Sequence, residues 1–286
     1  VQKLRTIADL KDAPKSLLRE ITLIDRIYSL LEDTNVEDIG IRGTFDISSG
    51  GRRTGVFHAS TVGSKDGKSL CGNYPMGCQR KMYYDVENAD NEDHWDPRLR
   101  SLLDTGTMIH EQLQAYTHVV ADRSGGMETF FDEVDIDPDK NPIAAALDLS
   151  GHTDGIYTIL TDMYDIRFAL EIKSISEKGF KATKSIHSEH AMQGTIYQKC
   201  LDVPVMLFVY YNKNTSEMSE FRQVFDPDRW KAIEDKIRYV QECVLDEEPP
   251  PHETSWNCRT CKYKRICKPP RAPRAAAART RFSRGG

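Results

Sequence analysis

The cysteines able to hold a metal in this chain are split between two distant places. Cys78 opens the run Cys78-Gln79-Arg80-Lys81-Met82-Tyr83-Tyr84, whereas Cys258, Cys261 and Cys267 crowd near the C-terminus. Neither group alone completes a four-thiolate site. If the two meet, the chain closes like a clasp, and any fold between them has to bring its ends together. Cys258-x-x-Cys261 sets two thiolates within reach of one metal, and Cys267 returns through a short basic segment. Zinc and a four-iron, four-sulfur cluster are both compatible with that spacing. Cys71 competes with Cys78 for the outlying place, while Cys200 and Cys243 read as core thiols. Seven cysteines, an odd number, fit ligands plus buried thiols in a reducing compartment better than a disulfide framework.

Charge narrows the partners. A net charge of -5 gives no overall attraction to a polyanion, so nucleic acid would have to be met by a local basic patch. Residues 85–96 are strongly acidic, and residues 262–284 hold many Lys and Arg with no acid among them. The basic stretch is a solvated tail, a phosphate-tracking arm or a localisation address. The longest apolar run, residues 204–211, is far shorter than the roughly 20 residues of a membrane span. Residues 1–12 show no signal-peptide core, and the expectation is an intracellular protein without membrane partners.

Periodicity divides the chain. Leu17, Ile21, Ile24, Tyr28 and Leu31 predict an amphipathic helix over 14–33. A glycine-punctuated region with a short strand around Val56 follows, and Leu102, Ile109, Leu113, Tyr116 and Val120 predict a helix over 99–121. The period then changes, giving strands at 130–136, 145–149, 155–160 and 167–175. A helix over 187–201 precedes strands at 205–212 and 221–225. Asp226-Pro227, an N-cap followed by proline at the first helical position, starts a final helix through Val244, and Pro249-Pro250-Pro251 stops it.

Chemistry concentrates in the strand-rich middle. In Leu170-Glu171-Ile172-Lys173 the two-residue period sends Glu171 and Lys173 to one face and Leu170 and Ile172 to the other. Gly151-His152-Thr153-Asp154-Gly155 supplies a second carboxylate. A hairpin closed at Thr161-Asp162-Met163-Tyr164 sets Asp154 opposite Glu171, at the Cβ spacing of about 5 Å typical of facing pairs. Two carboxylates so close repel unless a cation stands between them, and magnesium or manganese suits oxygen donors. Such an ion activates water and neutralises charge on a phosphate, with Lys173 placed to assist. Glu-x-Lys alone is common and usually a surface ion pair; the glycine-spaced aspartate gives it weight. His110, beside the apolar stripe of its helix, adds a nitrogen donor that favours manganese. Gln193 and Tyr197, four apart on a predicted helix, share a face.

In this order the pieces resemble the RecB-like branch of the PD-(D/E)xK nuclease superfamily, and most closely the CRISPR-associated and phage-borne single-domain exonucleases that carry an iron-sulfur cluster. Gly106-Thr107-x-x-His110, Gly151-x-x-Asp154, Glu171-x-Lys173 and Gln193-x-x-x-Tyr197 are similar to that family's four motifs, and the match runs over about 78–267. The resemblance implies an α/β restriction-endonuclease-like core, a mixed central sheet flanked by helices. It implies a catalytic metal, Mg2+ or Mn2+, on His110, Asp154, Glu171 and the Ile172 carbonyl, with Lys173 assisting the water. Gln193 and Tyr197 would position the DNA strand or the lysine. For the cysteines it implies a 4Fe-4S cluster on Cys78, Cys258, Cys261 and Cys267, with zinc the rival occupant. Gln79 stands where the family usually has proline, and the stretch 63–77 is longer than expected, which keeps Cys71 in play.

The organisation that follows is an N-terminal region over 1–98 carrying the first cluster cysteine and a nuclease core over 99–225. A closing helix and cysteine segment spans 226–269, and a basic tail 270–286. Arg80, Lys81, Arg259, Lys262, Lys264 and Arg265 would collect into a basic collar, with Tyr83, Tyr84 and Trp256 as stacking or core aromatics. The expected activity is a DNA exonuclease acting from single-stranded ends, with DNA and DNA-processing proteins as partners. Its rivals are an endonuclease or flap-trimming nuclease in recombination, replication or spacer acquisition, and a nonenzymatic DNA-binding scaffold.

Overall fold

Alternation of side chains on two strands decides the architecture. Along β5 (Tyr164–Ile175) and β6 (Val205–Asn212), Phe168, Leu170, Ile172, Val205, Leu207 and Val209 pack into one buried cluster, and Ala169, Met206, Phe208 and Tyr210 into another. A strand apolar on both faces has to be covered on both, and the computed structural model, which describes residues 2–33, 54–63, 77–89, 97–254 and 256–267, covers it with helices on each side.

The sheet among the described residues is mixed. β3 (Glu128–Ile136), β4 (Leu149–Leu160) and β5 run antiparallel in turn, β6 joins β5 in parallel, and β7 (Met218–Val224) closes the edge antiparallel to β6. The parallel step needs a crossover, supplied by α5 (Glu177–Ala182) and α6 (Ser188–Leu201). Two short strands lengthen the sheet: β1 (Gln2–Leu4) runs parallel to the start of β5, and β2 (Phe57–His58) parallel to the start of β4. On one face lie α1 (Ile24–Asp33) and α3 (Pro97–Arg123). On the other lie α2 (Gln79–Val86), α6 and α7 (Pro227–Leu245), with Tyr263 of the cysteine segment. None of the described helices is long and apolar enough to cross a membrane.

The turn at 161–164 forms as expected, with the Thr161 N–H donating to the Tyr164 carbonyl at 2.8 Å. Asp226 caps α7 by accepting from the amides of Asp228 and Arg229. Two expectations fail. The helix over 14–33 is broken: residues Lys15–Arg19 form a 3-10 turn, and α1 begins only at Ile24. Its first amides are taken by β7, since Glu220 Oε2 accepts from Leu23 N at 2.9 Å and Ile24 N at 3.2 Å. The strand over 145–149 is replaced by a short helix, α4 (Pro142–Ala146), because Asn141 Oδ1 accepts from Ile143 N and Ala144 N and Pro142 takes the first helical position. Cys71, the tail over 270–286 and the side chain of Trp256 lie outside the described residues.

Candidate active site

The site forms where β4 parts from its neighbours. The β4–β5 pairing ends at Gly155 opposite Leu170, and side chains then take over from the ladder. The Thr153 hydroxyl donates to the Leu170 carbonyl at 2.5 Å, and Asp154 Oδ2 accepts from the Ile172 N–H. On the β3 side the ladder is interrupted at Glu133, which adopts a left-handed φ of 47°. Gln114 of α3 fills that gap, donating to the Asp154 carbonyl at 2.9 Å and to Glu133 Oε1 at 2.7 Å. A polar backbone group released from a sheet in the interior needs such a partner. Sequence reasoning passed over Gln114, although it stands four residues after His110 and so shares its helical face.

His110 Nδ1 meets Asp154 Oδ1 at 3.0 Å. Lys173 Nζ donates to Glu171 Oε1, and Gln193 Nε2 reaches the same oxygen at 3.0 Å and the Tyr197 hydroxyl at 2.7 Å. All six side chains singled out in the sequence therefore lie in two linked groups, His110 with Asp154, and Glu171 with Lys173, Gln193 and Tyr197. The groups join electrostatically, the charge of Asp154 acting on Glu171 and Lys173.

Asp154 is 4% exposed and Glu171 3%. Burial alone raises a carboxyl's pKa, and the two diverge because their neighbours differ. For Asp154 the adjacent His110, Lys173 and the Ile172 amide outweigh burial and hold the carboxyl below its usual range. For Glu171 burial wins, reinforced by the charge of Asp154 and opposed by Lys173 and His110, so its carboxyl stands well above its usual range. Burial lowers His110 and Lys173, but the carboxylates facing them reverse the sign and raise both. The remaining oxygen, Glu171 Oε2, is buried and has no hydrogen-bond partner. Buried acceptors without a partner are costly, and hard cations take oxygens of this kind. An imidazole and two carboxylates with one uncommitted buried oxygen suit a divalent ion by donor type, although their donor atoms do not all lie within 4.8 Å of one another.

Of the four expected cluster cysteines, Cys78, Cys258 and Cys261 each act electrostatically on Cys267. Burial raises the Cys267 thiol, with Cys78, Cys261 and Cys258 close enough to add to the effect and Arg80 opposing it. Cys78 stands at the N-cap of α2; burial raises its thiol too, while the Lys81 and Arg80 amides draw it back. Cys200 is buried as expected, its thiol pushed up to about 12 by burial. The basic collar is reduced: Lys81 and Lys262 both spend their charge on Asp85, each at 2.9 Å. Of the two readings of Tyr83 and Tyr84, stacking or core, their burial favours core, at 7% and 9% exposed.

No family model matches the sequence, and no curated protein does. Among solved structures, the protein SSO0001 is similar over 85% of this chain and 92% of its own, with 16% identity and a TM-score of 0.41. An alkaline exonuclease, LHK-Exo from Laribacter hongkongensis, is similar over 68% of this chain and 89% of its own, with 15% identity and a TM-score of 0.42. Its complex with dAMP gives the same identity and a TM-score of 0.46. Likeness of this degree adds nothing to the chemistry of the site.

Proposed function

We propose that the chain is a divalent-metal-dependent deoxyribonuclease of the PD-(D/E)xK type, degrading DNA from single-stranded ends. One observation carries the reading: two carboxylates, both almost fully buried and the charge of Asp154 acting on Glu171, meet a lysine while Glu171 Oε2 is left without a hydrogen-bond partner. A structural surface ion pair needs neither the burial nor the spare oxygen. His110, Asp154, Glu171 and the Ile172 carbonyl would hold Mg2+ or Mn2+. When bound, the ion supplies Lewis acidity toward a phosphate oxygen and makes a water easier to deprotonate. Lys173, tethered by Glu171 Oε1, is placed to orient that water or to meet charge developing on the phosphate. Gln193 holds the same carboxylate oxygen, and Tyr197 fixes Gln193. Cys78, Cys258, Cys261 and Cys267 would carry a structural 4Fe-4S cluster. Their thiols suit iron-sulfur ligation, and the pairing joins α2 to the segment after α7.

The test uses end-labelled single-stranded DNA with Mn2+, Mg2+ or chelator, comparing the parent chain with Lys173→Ala. Metal-dependent degradation that falls by about 10^2–10^4-fold in the variant is expected. Equal activity in both forms rejects the centre, and a parent inactive with every metal points to a binding scaffold instead. Cutting of a covalently closed circle would reject the requirement for an end. Anaerobically purified protein should be brown; a colourless, zinc-containing protein would replace the cluster by zinc.

A further inference from the structure

A second constellation lies at the start of α6. Among the described residues, His187, Glu189 and His190 are the one group of His, Cys, Asp or Glu whose ligand atoms all lie within 4.8 Å of one another. Glu189 Oε1 is 3.8 Å from His187 Nδ1 and 4.0 Å from His190 Nε2, and the two imidazoles stack with centroids 5.2 Å apart at 19°. These gaps exceed hydrogen-bond length. They are a few tenths of an ångström wider than the separation of about 3.3–3.6 Å that donors adopt around a tetrahedral ion with bonds of about 2.0–2.2 Å, a gap that small side-chain shifts close.

The nitrogens facing away from Glu189 are tied down. The Thr183 hydroxyl spends its proton on the Gly179 carbonyl at 2.9 Å, so toward His187 Nε2, also at 2.9 Å, it can only accept. The neutral tautomer that fits this arrangement is Nε2–H, which leaves Nδ1, the atom facing Glu189, as the ring's lone pair. His190 Nδ1 is held 2.8 Å from the Tyr210 hydroxyl, which also accepts the backbone N–H of His187 at 3.1 Å, so the outer nitrogen of this ring is tethered as well. Metal-binding histidines are oriented by this kind of hydrogen bond at the second nitrogen. The His187 side chain is 30% exposed and those of Glu189 and His190 16% each, so an ion there could keep an open position toward solvent.

We infer that His187 Nδ1, Glu189 and His190 Nε2 form a binding site for one divalent transition-metal ion, separate from the His110, Asp154 and Glu171 centre. Two imidazoles and one carboxylate select Zn2+, Co2+ or Mn2+ over Mg2+ and Ca2+. Three protein donors leave a place for water or a phosphate oxygen. The position is not remote: Tyr210, which tethers His190, pairs with Lys173 across the β5–β6 ladder. The inference does not depend on the nuclease reading, since binding rather than DNA cleavage is what the test measures.

Calorimetric titration of the chelator-washed, full-length protein with Co2+ decides it. The His187→Gln/His190→Gln double variant should bind one equivalent fewer than the parent, whereas Asp154→Asn should retain that equivalent. Any cobalt held by the cysteines is common to all forms and cancels. Glu189→Gln, nearly isosteric and metal-free at the start, should fold like the parent and weaken the same site by tenfold or more. Equal stoichiometry and affinity in parent and double variant overturn the site. If the double variant does not fold, unchanged affinity in Glu189→Gln overturns it.

Discussion

Asp154 divides its carboxylate between His110 and the amide of Ile172, so the residue that would face the metal also replaces a lost strand hydrogen bond. Its neighbour Gly155 shows how closely the site is fitted. A Cβ there would strike the Phe130 ring and come within 2.8 Å of the Phe131 carbonyl. Since neither a core aromatic nor a strand carbonyl gives way cheaply, Gly155→Ala should destabilise the protein by about 1–3 kcal/mol. The denaturant midpoint should fall with the slope unchanged. Phe130→Leu in the same chain should recover part of the loss; no recovery would place the clash on the carbonyl instead. At this scale the sequence was most readable. The two-residue period of β5 put Glu171 beside Lys173, and turn spacing put Asp154 level with Glu171. The way Glu171 is committed was not readable: that one oxygen serves Lys173 and Gln193 while the other is left over is set by packing among β5, α6 and α3.

Among the elements, the well-read ones carry their signals in their own sequence. Asp226-Pro227 starts α7, and the apolar run of β6 marks a strand covered on both faces. Of the two misread ones, α4 carries a local start signal in Asn141-Pro142 that the strand reading passed over, and the other depends on partners distant in the chain. Between residues 14 and 33 the apolar spacing is helical throughout, yet Glu220 captures the amides of Leu23 and Ile24, and Arg222 Nε donates to the Ile21 carbonyl, so α1 starts late. Glu220 thus acts as an N-cap supplied by β7. Glu220→Ala should cost about 1–2 kcal/mol, the usual range for a lost cap. Amide exchange at Leu23 and Ile24 should accelerate while the core of α7 keeps its protection. Uniform acceleration through both helices would show that Glu220 supports the fold generally, not the start of α1.

Across the whole molecule, the helical layer on one face of the sheet is held to the cysteine segment by a polar knot around Asp85. Its carboxylate takes Lys81 and Lys262 at 2.9 Å each and the Tyr263 hydroxyl at 2.9 Å. Lys236, buried on α7, reaches the Gly77 carbonyl just before Cys78, so α7 also fastens the entry to α2. Burial works to raise the Asp85 pKa, but the charge of Lys81 and the hydrogen bonds from Lys262, Lys81 and Tyr263 outweigh it, and the native value lies below the ordinary 3.8. The sign of the pH dependence follows. Between the native and unfolded pKa values the unfolded chain binds more protons, so stability rises with pH through that interval. The contribution is complete above the unfolded value of about 3.9 and is lost as pH falls through the native one. Lys81 is 36% exposed and Lys262 25%, so solvent screening trims the pair energies. Asp85→Asn should then cost about 1–2 kcal/mol near neutral pH. Urea midpoints of parent and variant, measured with the cysteines in the same state, should differ near pH 7 and draw together as pH falls through the lowered native value of Asp85. A gap of constant size across that range would assign the loss to shape rather than to the carboxylate's charge.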